Sequence, residues 1–191
     1  MKIIFIGAHG TGKSTLATNL QRCLSKIKPF PLVESVARQC QSYLKSNDIY
    51  RLLTVDAQDK MKQEMITEFA FWDFERICTW NNDCIMTRCP LDPVAYEKAN
   101  YGSNEEYLKN LSKLFDFKFK GYFNNCIFFY IPIEFDLVDD GIRPMGKEYQ
   151  KKVDEAMLDL VYNLDLPIIT IKGDKQERLN KCLNSLLYTN F

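Results

Sequence analysis

The stretch Lys2–Leu16, "KIIFIGAHGTGKSTL", decides the fold. Residues 3 to 6 form a continuous apolar, branched run, the pattern of a central parallel strand covered on both faces. Leucines at 16, 20 and 24, separated by polar residues, give residues 13–26 a helical period. Between strand and helix, Gly7-Ala8-His9-Gly10-Thr11-Gly12-Lys13-Ser14 satisfies G-x-x-x-x-G-K-[ST]. Such a loop grips phosphate. Gly7, Gly10 and Gly12 let the backbone wrap closely around oxygens, and the amides of His9, Thr11 and Thr15 face the anion with the helix N-terminus. Lys13 is expected to neutralise the β- and γ-phosphates, and Ser14 to place its hydroxyl on Mg²⁺. His9 stands at a variable position, where a neutral or exposed side chain is expected in preference to a catalytic one.

Composition narrows the partners. Acidic and basic residues number 25 each among 191, so no overall field draws the chain to nucleic acid or an acidic membrane. The seven cysteines (23, 40, 78, 84, 89, 126 and 182) form no C-x-x-C pair and accompany a single histidine, which argues against structural zinc and for free thiols in a reducing compartment. The longest apolar run, "CIFFYIPIEF", is far short of a membrane span, and the N-terminal run stops after Ile6 at the glycine loop. A cytoplasmic location is expected.

Outward from the loop, strands and helices alternate. "PFPLVE" reads as a second strand, residues 54–80 as a long helix, "DCIMT" as a third strand, and "PVAYEKA" as the start of a helix. Residues 101–120 carry an amphipathic pattern, and "NCIFFYI" is a fourth strand. Helix 147–164, strand "PIITIKG" and helix 174–187 follow. This pattern predicts one α/β domain over residues 1–191: a three-layer fold with a mainly parallel five-stranded sheet between helices. The segment at about 134–147, containing "DDGIRPMG", reads as a lid.

The loop motif is shared by switches, motors and kinases. A guanine switch needs D-x-x-G and N-K-x-D, and neither occurs; Asn180-Lys181 continues with Cys182 and Leu183. A motor ATPase ends an apolar strand in Asp-Glu, whereas the third strand runs into "IMTRCPLD". The chain has instead separated charges at strand ends, and phosphoryl transfer is mostly positioning and charge neutralisation. Arg88 follows the third strand, and Arg143 lies in the lid segment, where closure would bring it to the γ-phosphate. Glu34 and Arg38, four apart, share a helix face if "ESVAR" is helical; they form either a simple ion pair or a base with an acceptor-holding cation.

"GAHGTGKSTLA", "LVESVAR", "TRCPLDPVAY" and "DDGIRPMGKEYQKKVDEAML" together resemble the P-loop kinase-like family that includes the ribosylnicotinamide kinase domain of bacterial NAD regulators and related small phage-type kinases and ATPases. The closing "IKGDKQERLNKCL" resembles that family's last strand and adenine-side turn. The resemblance implies an ATP- and Mg²⁺-dependent kinase acting on a nucleoside- or nucleotide-like acceptor. It places Lys13 and Ser14 on the phosphates and metal, Glu34 and Arg38 on the acceptor side, Arg143 in the lid, and Arg178 or its neighbours by the adenine. Relatives usually carry an acidic residue where this chain has Thr87. Asp92, Asp139 or Asp140 are the substitutes for a metal carboxylate, Asp92 also lying on the acceptor side with Arg88, and Glu34 could serve the metal instead. Two alternatives are a kinase for the hydroxymethyl group of a modified pyrimidine in phage DNA and an ATPase or nucleotide-binding module without an acceptor. The lysines at 45, 60, 62, 109, 113, 118 and 120 keep DNA in play, although the balanced charge disfavours it.

Overall fold

The computed structural model describes residues 1–33, 55–80, 82–102, 113, 120–136 and 146–187. Strands β1 (Lys2–Ile6), β2 (Leu32–Val33), β3 (Cys84–Met86), β4 (Cys126–Tyr130) and β5 (Ile168–Thr170) form one sheet in the order β2-β3-β1-β4-β5. Every pairing among them is parallel. β1 lies at the centre, with Lys2 opposite Cys84 on one side and Cys126 on the other. All five of its residues are buried, as a strand covered on two faces requires.

Helices α1 (Lys13–Leu24), α2 (Val55–Cys78), α3 (Leu91–Tyr101), α4 (Lys120–Phe123), α5 (Lys147–Asn163) and α6 (Lys175–Leu187) complete the described elements. The period-two alternation of the strands divides the core in two. Ile3, Phe5, Ile85 and Phe129 pack with Leu16, Ala17 and Leu20 of α1 and with Cys182 and Leu186 of α6. Ile4, Ile6, Met86, Phe128 and Tyr130 pack on the other face with Phe74 and Ile77 of α2, Val94 of α3, and Met157 and Leu160 of α5. Phe5 and Phe129 meet with ring centroids 5.5 Å apart, and each fully buried ring contributes about 2–3 kcal/mol by leaving water. The fold is the expected three-layer one.

The sequence elements sit close to where they were expected. The amphipathic segment 101–120 falls mostly outside the described residues. No described helix is long and apolar enough to cross a membrane.

In a parallel sheet of this order the C-terminal strand ends share one edge. That edge carries the glycine loop after β1, Thr87 and Arg88 after β3, and Ile131–Asp136 after β4. Chemistry at this protein has one natural location.

Candidate active site

The loop's shape begins at Gly7. Its φ of 131° is one that side chains rarely adopt, and a Cβ there would stand 2.5 Å from the backbone oxygen of Ile131. β4 runs so close to β1 that only glycine fits the exit. Gly7→Ala should therefore cost about 2 kcal/mol and lower Tm by about 4–8 °C, with weakened ATP binding, as checked by thermal unfolding with and without nucleotide. Gly12 (φ 89°) is the N-cap of α1 and supplies no side-chain cap, and the first turn has no acidic residue. The first amides of α1 thus stay available to an anion, with Gly10, Gly12, Ser14 and Thr15 exposed at the opening.

Lys13 is buried, and its ammonium donates to the carbonyls of Gly7, at 2.7 Å, and Ala8, and contacts Thr11 Oγ1 at 3.3 Å. Thr11 Oγ1 in turn donates to Ala8 O at 3.0 Å. The loop is thereby closed on its own lysine. A nucleotide phosphate offers that ammonium stronger, charged acceptors in the same place.

Two residues of α5 hold the loop from behind, and neither was anticipated. Gln150 Nε2 donates to His9 O at 2.7 Å, and Asp154 accepts from Ala8 N–H at 3.4 Å and from the Tyr130 hydroxyl at 2.6 Å. Burial, then the neighbouring Asp154 carboxylate, pushes the Tyr130 phenol well above its usual pKa, so it remains a donor. The signal available was Gln150, a polar side chain in register with the apolar stripe Val153, Met157 and Leu160.

His9 corrects an expectation. Its side chain is not exposed: the residue is 1% accessible, with Nδ1 3.1 Å from the Tyr96 hydroxyl. The rings of Tyr96 and Tyr149 lie 6.0 and 5.9 Å from its own. α3 and α5 pack together over the loop and enclose this position, which the loop's local sequence does not reveal.

Arg88 leaves the end of β3 and points along the same edge. Its Nη1 meets Asp92 Oδ1 at 2.5 Å, while Asp92 Oδ2 accepts the Cys89 amide at 2.8 Å. Asp92, in the first turn of α3, thus closes the helix start and fixes the arginine at once. Burial works against the Arg88 charge, but Asp92 and Tyr96 outweigh it and hold the guanidinium ionised. Asp92 was read as a metal and acceptor residue; here both its oxygens are engaged by Arg88 and Cys89. Thr87 is buried. No group of three or more His, Cys, Asp or Glu able to hold a metal exists among the described residues. The uncapped start of α1, the exposed Gly10, Gly12, Ser14 and Thr15 and the Lys13 ammonium fit the phosphate groups of a nucleotide.

Arg178 was placed by resemblance near the adenine. The structure makes it a buried brace, 3% accessible. Nη1 donates to Thr11 O at 2.7 Å, Nη2 to Glu134 Oε2 at 2.6 Å, and the guanidinium lies 4.8 Å from the Phe135 ring centroid. Glu134 also accepts the Gly173 amide at 2.9 Å. One side chain therefore ties the glycine loop to the chain leaving β4 and to the turn after β5. Arg178→Met should weaken ADP binding about tenfold through Thr11, measured by calorimetry, and an unchanged affinity would show the brace to be dispensable. Glu34, Arg38, Asp139, Asp140 and Arg143 lie outside the described residues.

The sheet order and phosphate loop define a P-loop nucleotide-binding protein. More specifically, the chain belongs to the AAA_28 family of AAA domains, whose model matches residues 2–178. No curated protein sequence matches it. Among solved structures it is similar to deoxyadenosine kinase from M. mycoides with bound dATP (TM-score 0.67, 16% identity, 98% of this chain and 99% of that one covered). It is also similar to thymidylate kinase from Ehrlichia chaffeensis (TM-score 0.64, 18% identity, coverage 97% and 98%). Shikimate kinase from Aquifex aeolicus follows at a TM-score of 0.55, with 19% identity and coverage of 99% and 98%. At these identities the likeness is one of fold.

Proposed function

We propose that this protein is a small P-loop kinase that transfers the γ-phosphoryl of ATP, with Mg²⁺, to a hydroxyl or phosphate of a nucleoside- or nucleotide-like acceptor. The observation that carries the reading is Arg88: a charged guanidinium fixed by Asp92 at the strand end beside the phosphate loop. Converging cations stabilise the charge of a transferring phosphoryl group, and an arginine at the neighbouring strand end is placed to hold an acceptor in line with it. The kinase folds among its structural neighbours agree with this reading.

Bound ATP supplies the transferable phosphoryl group, and Mg²⁺ screens its charge. Lys13 exchanges the carbonyls of Gly7 and Ala8 for phosphate oxygens. Ser14 would hold the metal through its hydroxyl, and the amides of His9, Thr11 and Thr15 would orient the phosphates. Arg88 binds the acceptor side; the expectations for Arg38 beside it and for Arg143 at the γ-phosphate fall on residues outside those described. Glu34 takes the acceptor proton on its carboxylate oxygen. The donor base lies by the turn at Gly173 and Asp174 that leads into α6. A role in nucleotide metabolism, in the cytoplasm, goes with this reading.

A second reading, nucleotide hydrolysis without an acceptor, draws on the AAA-domain family and on Thr87 standing where an acidic metal partner is expected. A hydroxymethylated pyrimidine in phage DNA is a further possible acceptor. ADP release, measured with purified protein, ATP and Mg²⁺ against nucleosides, nucleoside monophosphates, ribosylnicotinamide and hydroxymethylated DNA, separates the three. Stimulation by one acceptor class supports the kinase reading, and equal release with and without every acceptor favours hydrolysis.

A further inference from the structure

Three side chains from separate elements meet between the two halves of the site. Arg88, at the end of β3, lies with its guanidinium carbon 5.7 Å from the Tyr96 ring centroid. The Tyr96 hydroxyl, from α3, is 3.1 Å from Nδ1 of His9 in the phosphate loop. Asp92 and Tyr96 stand four apart on α3, so one helix face flanks Arg88 on two sides, the first by ion pair and the second by aromatic ring. His9 is further held through its carbonyl by Gln150.

We infer that Tyr96 is a positioning residue that ties the acceptor-side Arg88 to the donor phosphate loop through His9. The inference rests on the kinase reading for its functional meaning, but not for its geometry. With His9 neutral and its proton on Nε2, the Tyr96 O–H donates to Nδ1. The adjacent guanidinium draws electron density from the phenol and makes that O–H a stronger donor, as linked polar groups do in a dry site. The imidazole is thereby fixed in one tautomer and one orientation within a loop whose backbone must present its amides to phosphate. A change at Arg88 should be felt at His9 through the Tyr96 side chain, which contacts both.

The chain has a single histidine, so its imidazole nitrogens can be followed without ambiguity. The full-length protein labelled with ¹⁵N at histidine is compared by NMR with Tyr96→Phe, which keeps the ring, and with Arg88→Met. Tyr96→Phe should shift the Nδ1 resonance by removing its donor, and Arg88→Met should shift it in the same direction by a smaller amount. In steady-state kinetics Tyr96→Phe should lower kcat about tenfold, the scale of one placed hydrogen bond, with the KM for ATP within about twofold of the parent. An Nδ1 resonance unmoved in Arg88→Met overturns the inference, as does a Tyr96→Phe effect confined to KM. If the resonances move as expected while no acceptor is phosphorylated, the relay stands and the kinase reading fails. If transfer occurs but the resonances do not move, the relay alone fails.

Discussion

Lys13→Ala should abolish phosphoryl transfer, with kcat falling by at least about three orders of magnitude, the scale on which a preorganised charge at the transferring group acts. The ammonium is buried inside the loop and is held by the carbonyls of Gly7 and Ala8 and by Thr11 Oγ1. Removing it takes away the tie that closes the loop and, on the kinase reading, the counter-charge for phosphate. The first loss costs about 1–3 kcal/mol, since two carbonyls lose a charged donor. Lys13→Met, which fills the same space without charge, separates these effects. Both variants should lack transfer, and Lys13→Met should recover part of the lost Tm. An Ala variant that still transfers phosphate at more than a tenth of the parental rate would remove the loop from the reaction.

The second large effect belongs to Arg88. Arg88→Met should lower kcat by about two to three orders of magnitude, as for loss of one fixed donor aimed at developing charge. It also leaves the nearly inaccessible Asp92 carboxylate without its cation, which should destabilise the fold by about 3 kcal/mol. Adding Asp92→Asn removes the stranded charge. The double variant should therefore regain stability in thermal unfolding yet remain as slow as Arg88→Met. If it regains activity together with stability, Arg88 serves the fold and not the acceptor.

The phosphate loop and the sheet that carries it are legible in the sequence, each for its own reason, while Glu34, Arg38 and Arg143 lie outside the described residues. The glycine loop announces itself because phosphate binding needs a backbone shape, and that shape restricts residue types within eight consecutive positions. The strands were legible because a covered parallel sheet demands unbroken apolar runs, and "KIIFI" and "CIFFY" supply them. Arg88 could be suspected from its place at a strand end, but its tie to Asp92 depends on the turn into α3. His9 and Arg178 were the harder cases. Whether a loop histidine faces solvent is decided by Tyr96 and Tyr149, which lie far away in sequence, and they bury it. Arg178 lies in the first turn of α6, within a segment that resembles an adenine-side one, and its partners Thr11 and Glu134 come from the exits of β1 and β4. Nothing nearby in sequence marks Asp154, and Gln150 shows only as a polar residue in the apolar stripe of α5; both matter once α5 is laid across the loop.

Transfer of the γ-phosphoryl itself is the most direct measurement of the central claim. Purified protein with γ-labelled ATP and Mg²⁺, challenged with the nucleoside, nucleotide, ribosylnicotinamide and hydroxymethylated-DNA panel, should place label on one acceptor class. The yield should be acceptor-dependent, and label should be missing from product with Lys13→Ala and strongly reduced with Arg88→Met. Label recovered only as inorganic phosphate, at a rate indifferent to every acceptor, would contradict the kinase assignment and leave the protein a nucleotide hydrolase.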